Sequence, residues 1–308
     1  MIARVGDLAQ FTTLTSQQQR VQGKADLAAQ KMTSGMAANN YKDMAKQART
    51  YLNYDADVSR IDQYRTNIKL TQSRLELTYY SLTQSIDFLT DYAREVTSAL
   101  DPTAPHTEFN QISTNILNAI ARSFNARDGE RRALFSGSMT DQDPIDLSLL
   151  PHPTLNSLPD YTYYQGDSVT LTAEIDEGSP FAYNVLGNAG GIEKALRAIK
   201  FGTTAQPNGD VTSVDFQKLQ ESLKLTQEAI ADLSTLRANT GYNLKQLEKA
   251  DELHMNDRQF RVQQRSDLGE ADITEAFYEL TMAQTHLTAA AYTIQNTLST
   301  EGLLRFMR

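Results

Sequence analysis

The chain has no cysteine. That absence removes disulfides, thiolate metal sites and cysteine nucleophiles together. It leaves the redox compartment open, because a chain without thiols is indifferent to it. No run of about 18 apolar residues occurs, so no membrane insertion is expected. The opening MIARVGDLAQFTTLTSQQQR lacks an apolar core and does not read as a secretory signal peptide. Any export is therefore expected to take a route without a cleavable signal. No basic run with interleaved aromatics is present, and the formal net charge is −9. Phosphate-backbone binding needs a basic surface, so nucleic acid is excluded as a partner.

Catalytic patterns are missing as well. The four histidines, His106, His152, His254 and His286, have no partner at ligand spacing, so each is expected to be solvated and no metal is expected. There is no G-x-S-x-G elbow; FSGSMTD offers serines without a base. Gly187–Gly191 (GNAGG) lacks a phosphate-loop lysine and the three-glycine dinucleotide pattern, and turn geometry accounts for it. Asp141 and Asp143 lie in a polar loop where paired carboxylates are ordinarily solvated. No enzyme and no cofactor are expected.

Proline is scarce where it matters. All eight prolines lie between Pro102 and Pro207, so the first 101 and last 101 residues have none. A proline in a helix interior costs roughly 3 kcal/mol. Long uninterrupted helices are therefore permitted only in the two terminal thirds.

Those thirds carry heptad rows. Tyr54, Ile61, Ile68, Leu75, Leu82, Leu89 and Val96 recur every seven residues. A second row, Val58, Tyr79, Ile86, Ala93 and Leu100, is interrupted by Arg65 and Gln72. Phe216, Leu223, Ile230 and Leu244 repeat likewise, with Leu219, Leu233 and Leu247 beside them. At the ends, Leu14, Val21 and Ala28 run with Phe11, Ala25 and Met32. Ile273, Leu280, Leu287 and Ile294 run with Phe277, Ala291 and Leu298. Seams of this length favour extended helices over a compact bundle. The seam residues Phe11, Leu14, Val21, Met32, Ile273, Phe277, Leu280, Leu287, Ile294 and Leu298 form the candidate assembly interface.

The ends also differ in charge. Residues 1–50 hold seven lysines and arginines against three aspartates, while residues 265–308 hold three arginines against six acids. Opposite charge steers one terminal helix onto the other or onto a neighbouring copy.

The middle has a different grammar. Asp141–Pro159 is rich in turn residues and reads as irregular. Val169, Leu171, Ala173 and Ile175 alternate with polar residues as a strand; Phe181–Leu186 makes a second, and Ile192–Phe201 a short amphipathic helix. The tyrosine pair Tyr79-Tyr80 falls partly on the seam, and Tyr161, Tyr163 and Tyr164 are expected in strand or edge packing. The fold expected is mainly α, with long terminal helices in a coiled-coil or helical bundle and a small mixed or β-rich insert. Its divisions are terminal assembly segments 1–48 and 265–308, a helical core 49–138 and 212–264, and an outward-facing insert 139–211.

Four stretches carry a resemblance. KMTSGMAANNYKDMA (Lys31–Ala45) resembles the amino-terminal signature of the bacterial flagellin family, with Met-Thr where Leu-Ser is usual and Lys42-Asp43 where paired aspartates often stand. GERRALFSGSMTDQDPI (Gly129–Ile145) and YYQGDSVTLTAEIDEGSPFAYNVLGNAG (Tyr163–Gly190) are similar to the hook–filament junction members of that family, the hook-associated proteins. Glu270–Arg308 resembles the family's carboxy-terminal helix, through Asp272-Ile273, Gln284 and the Leu303-Leu304 ending. The resemblance implies a secreted, self-assembling structural subunit of the flagellum, placed between hook and filament and needed for motility. It implies type III export with an export chaperone, and contacts with copies of itself, with another hook-associated protein and with flagellin. It also implies termini that are poorly ordered until subunits stack. Two neighbouring readings stay open here: filament flagellin itself, and a secreted coiled-coil component of an injection-type secretion system.

Overall fold

The computed structural model describes residues 2–37, 47–103, 108–207 and 210–306; side chains are described from residue 12 to residue 295. Among them are six helices and one strand pair, in the order α1 (Ile2–Ser34), α2 (Ala48–Ala99), α3 (Phe109–Phe124), β1 (Thr172–Glu174), β2 (Pro180–Ala182), α4 (Gly190–Gly202), α5 (Val214–Gly269) and α6 (Ile273–Phe306). The proline-free thirds are helical as expected, and α2 and α5 run for 52 and 56 residues. The chain divides into two compact units, 1–60 with 257–308, and 61–256.

In the larger unit the first heptad row behaves as read: Ile61, Ile68, Leu75, Leu82, Leu89 and Val96 are all buried. The second row is buried at Ile86, and at Val58 in the smaller unit, but breaks at the tyrosines. Tyr79 is 40% exposed and Tyr80 62%. A further buried line is Tyr64, Thr71, Thr78, Ser85, Tyr92 and Ala99, three positions after each member of the first row from Ile61 on. On α5 the matching line is Leu219, Thr226, Leu233, Thr240 and Leu247. Arg65, which interrupts the expected row, donates from Nε and Nη2 to the two carboxylate oxygens of Asp251 on α5, at 2.7 and 3.2 Å. That hydrogen bond and charge hold the Asp251 carboxyl below its ordinary range.

Residues 139–211 lie within this unit. Ile145, Leu150, Tyr163, Ile192, Leu196 and Ile199 join one apolar cluster with Leu82 and Leu89 of α2 and Phe124 of α3. The two strands are shorter than their alternation predicts and pair antiparallel, Thr172 opposite Ala182 and Glu174 opposite Pro180. Leu171, Ala173 and Ile175 still alternate half-buried against exposed neighbours. His254 departs from expectation: its ring sits 5.6 Å from that of Tyr64, and Nε2 meets the Ile175 carbonyl at 2.7 Å. His152 and His286 are exposed as expected, and His106 lies outside the described residues.

Candidate assembly surface

In the smaller unit α1 packs on α6. The helices meet where α1 ends. Gly35, at φ 68°, takes the left-handed conformation that closes a helix, and its N–H donates to the Lys31 carbonyl at 2.8 Å. Two backbone bonds then join the ends: Ala37 N–H to the Gly269 carbonyl, and Ala271 N–H to the Gly35 carbonyl, each 2.9 Å. Asp272 caps α6 by accepting from the N–H groups of Thr274 and Glu275 at 2.8 and 3.0 Å. The two terminal signatures are thus one joint: Ser34-Gly35 from the first, Glu270 to Asp272 from the second. The rest of the first signature, Ala38 to Ala45, lies outside the described residues.

The base of this unit is clamped by charge. Arg265 Nη1 donates to Asp55 at 2.6 Å, and Arg261 bridges Asp57 and Asp257. Lys31 of α1 lies 3.7 Å from Glu279 of α6, in the sense the charge asymmetry predicts. Both are well exposed, so this contact selects a partner more than it stabilises one.

Between α1 and α6 the buried side chains are small: Ala25 and Ala28 on one helix, Ala276 and Ala283 on the other. Of the seam residues read from the sequence, Leu14, Val21, Met32, Leu280, Leu287 and Ile294 are half-buried. Ile273 and Phe277 are not brought in; they are 55% and 59% exposed. The side chains of Phe11 and Leu298 lie outside the described residues. The inner row of α6 is therefore Ala276 and Ala283, one position before the row read from Phe277 and Ala291. Its seven-residue repeat was present in the sequence, but alanine is a weak hydropathy signal. The same unit leaves large apolar side chains open: Leu27 at 59%, Phe260 at 60%, Tyr278 at 65%, Met282 at 40% and Tyr292 at 66%, besides Ile273 and Phe277. Exposed apolar surface on this scale marks an interaction site.

In the larger unit the two middle signatures also meet. Gly137, at φ 69°, turns the chain through Phe135-Ser136-Gly137-Ser138, and a Cβ there would collide with Asp167. Asp167 accepts from Ser138 N–H at 2.8 Å and from the Ser138 hydroxyl, which holds its carboxyl below the ordinary range. The Tyr164 hydroxyl reaches the carbonyls of Phe135 and Asp167 at 3.1 and 2.7 Å. Burial pushes that phenol up to about 12. Tyr163 is fully buried and donates to the Gly187 carbonyl at 3.2 Å, while Tyr161 is exposed. The Asp167 carboxylate and the Tyr164 and Tyr163 hydroxyls of this knot are spent on holding the turn, while the buried Ser136 hydroxyl has no hydrogen-bond partner among the described residues. Asp143 is paired with Arg127 at 2.8 Å, and Asp141 is exposed. Among the described residues no group of acids and histidines is arranged to hold a metal, and no helix is long and apolar enough to cross a membrane.

No protein-family model and no curated protein matches the sequence. Solved structures do share the fold. A Vibrio parahaemolyticus protein assigned as flagellar hook-associated superposes with a TM-score of 0.58 at 19% identity, over 74% of this chain and 100% of the other. FlgL of Bacillus cereus gives 0.56 at 16% identity, over 70% and 99%. Flagellar hook associated protein-3 of Legionella pneumophila gives 0.54 at 12%, over 70% and 98%. The chain therefore has the fold of these hook-associated proteins along their whole length.

Proposed function

We propose that the chain is a structural subunit of the bacterial flagellum that assembles with further copies of itself at the hook–filament junction, joining hook to filament. The observation that carries the reading is the α1–α6 pair. The buried side chains between the two helices are alanines, with larger seam residues only half-buried, while Ile273, Phe277, Tyr278 and Tyr292 stand in solvent. A single copy leaves those side chains wet, and stacked copies would cover them. The fold shared with hook-associated proteins from three other bacteria supports the placement.

In this reading residues 1–48 and 265–308 are the assembly segments, 49–138 and 212–264 the helical core, and 139–211 the outward-facing insert. The partners are copies of the chain, the neighbouring hook-associated protein, flagellin and an export chaperone. The chain is secreted and performs no catalysis. Electron microscopy of flagella from a deletion strain tests the reading. Bare hooks with flagellin shed into the medium are the expected result. Hooks that still carry filaments of normal length would overturn it.

A further inference from the structure

An open groove of about 430 Å3 runs between α2 and α3 in the larger unit. Its walls include Leu77, Tyr80, Gln84 and Phe88 from α2, with Ala119 and Arg122 from α3. The polar rim is set in advance: Gln84 Nε2 donates to the Tyr80 hydroxyl at 3.2 Å, and the Ser123 hydroxyl donates to Gln84 Oε1 at 3.2 Å. The Tyr80 O–H is left to donate outward. Arg122 makes no ion pair or side-chain hydrogen bond among the described residues.

Elsewhere in the unit the segment Pro151–Asp160 projects its own apolar side chain. Leu158 is 84% exposed, the highest value of any large hydrophobic residue among those described. Pro151, Pro153 and Pro159 keep the segment out of helix and strand, and a turn in which the Ser157 N–H donates to the Thr154 carbonyl at 2.9 Å, with Asn156 at φ 58°, leads straight into Leu158. A leucine exposed beside a turn gains most by burial against an aromatic wall such as that of Tyr80 and Phe88. Charge fits too. From Ala133 to Glu193 there are nine aspartates and glutamates and not one lysine or arginine, against a net charge of −9 for the whole chain. A lone arginine on the groove faces an acidic visitor.

We propose that the α2–α3 groove of one subunit receives the Pro151–Asp160 segment of a second copy, with Leu158 entering beside Tyr80 and Phe88 and Arg122 meeting the segment's negative field. The visitor is a second copy because the segment is fastened at home. Arg197 donates to the Ser157 carbonyl, and Glu193 accepts from the Asp160 N–H at 3.3 Å. No residue of the segment lines its own groove. Groove and segment are different surfaces, so the contact is head-to-tail and repeats from copy to copy, as in rings and helical assemblies. A stable interface buries about 800 Å2 on each partner, more than one short segment supplies. The contact therefore forms when the terminal segments have already brought copies together. It rests on the reading that copies assemble.

A chain without cysteine makes the test direct. Tyr80→Cys and Leu158→Cys are introduced together and singly; both positions are exposed, so the fold tolerates them. Purified hook–basal bodies are treated with a short bis-maleimide. The double variant is expected to give a ladder of covalent multimers, and each single variant none. Arg122→Glu in the double background is expected to reduce the ladder severalfold at low salt. A double variant present on hooks at wild-type level without a ladder overturns the groove contact and leaves the assembly reading intact. So does a cross-link from Tyr80→Cys alone to a different flagellar protein. Hooks that never carry even the wild-type chain would instead strike the assembly reading.

Discussion

Arg74 of α2 and Asp128, in the loop after α3, form an ion pair whose side chains are only 9% and 6% exposed. Arg74 also donates to the Ala133 carbonyl at 3.1 Å. Asp128 accepts from the N–H groups of Glu130 and Arg132 at 3.0 and 2.9 Å. One buried arginine thus fastens the long helix to the loop that leads into the Phe135–Ser138 turn. Removing it leaves a carboxylate buried with part of its partners gone. Arg74→Ala is expected to destabilise the larger unit by about 3–5 kcal/mol. Urea unfolding followed by circular dichroism measures it; a loss below about 1 kcal/mol, the range of exposed pairs, would contradict the burial argument.

The same pair sets a pH dependence. Burial works against ionisation of Asp128, but the hydrogen bonds and charges of Arg132 and Arg74 outweigh it and hold the carboxyl below its ordinary value. Its stabilisation is complete above the unfolded carboxylate range and fades as pH falls through the lower folded value. Glu193 has the opposite sign. Burial raises it despite Arg197 beside it, so its ionised form costs stability above the unfolded range and acid relieves that cost. Asp128→Asn is expected to lower stability at neutral pH and flatten the acid limb. Glu193→Gln is expected to steepen that limb. Thermal unfolding between pH 3 and pH 7 reads both, and parallel curves for the two variants would refute the assignment.

The first heptad row on α2 was legible because Ile61, Ile68, Leu75, Leu82 and Leu89 are all large and apolar. The buried line three positions on was not, because Thr71, Thr78 and Ser85 score as polar. Each is buried with its hydroxyl bonded to the carbonyl four residues back, at 2.8, 2.9 and 2.8 Å. A hydroxyl satisfied inside its own helix packs like a methyl, and a hydropathy pattern cannot register it. Tyr79 was read into the row of the buried Val58 and Ile86, yet it is 40% exposed and the adjacent Thr78 is buried. The charged joint at Arg65 and Asp251 was hidden for another reason: its partners are 186 residues apart. Gly35 and Asp272 were visible as signature residues, but their meeting depends on helix lengths that the sequence leaves open.

Thr78→Val removes a hydroxyl whose acceptor, the Arg74 carbonyl, keeps its helical N–H partner. No buried group is left unpaired, so the change is expected to fall within about 1 kcal/mol of wild type. A loss of several kcal/mol on urea titration would show that the hydroxyl serves a contact beyond its own helix.

Burial is uneven between the units. In the smaller one the buried apolar residues among those described are Ala25, Ala28, Val58, Ala276 and Ala283. The larger buries Ile68, Leu75, Tyr92, Phe124, Phe135 and Phe201. Burial is worth about 0.8 kcal/mol per methylene, so alanines contribute little. Amide exchange on dilute monomer is therefore expected to be fast in 12–34 and 273–295 and slow in 61–96. Equal protection in all three would mean that the terminal pair is stable before assembly.

Leu287 and Phe277 separate packing within a subunit from packing between subunits. Leu287 is half-buried on α6, in heptad register with Leu280 and Ile294 and four positions after the buried Ala283. Phe277 is 59% exposed. An aspartate at Leu287 places a charge in the α1–α6 seam, and burying it unpaired costs several kcal/mol. An aspartate at Phe277 costs nothing in the free chain, because that side chain is already wet. Once copies stack, the penalty appears there too and is repeated in every subunit. Leu287→Asp is therefore expected to loosen the terminal pair and block incorporation, while residues 61–256 keep their cooperative unfolding and the protein is still exported. Phe277→Asp is expected to leave the monomer's unfolding unchanged and still reduce incorporation. The readout is secreted monomer in the culture supernatant against protein retained on purified hook–basal bodies. If Phe277→Asp populates hooks as wild type does, the exposed face of α6 is not a subunit contact. If Leu287→Asp does so as well, the terminal pair is not the assembly segment.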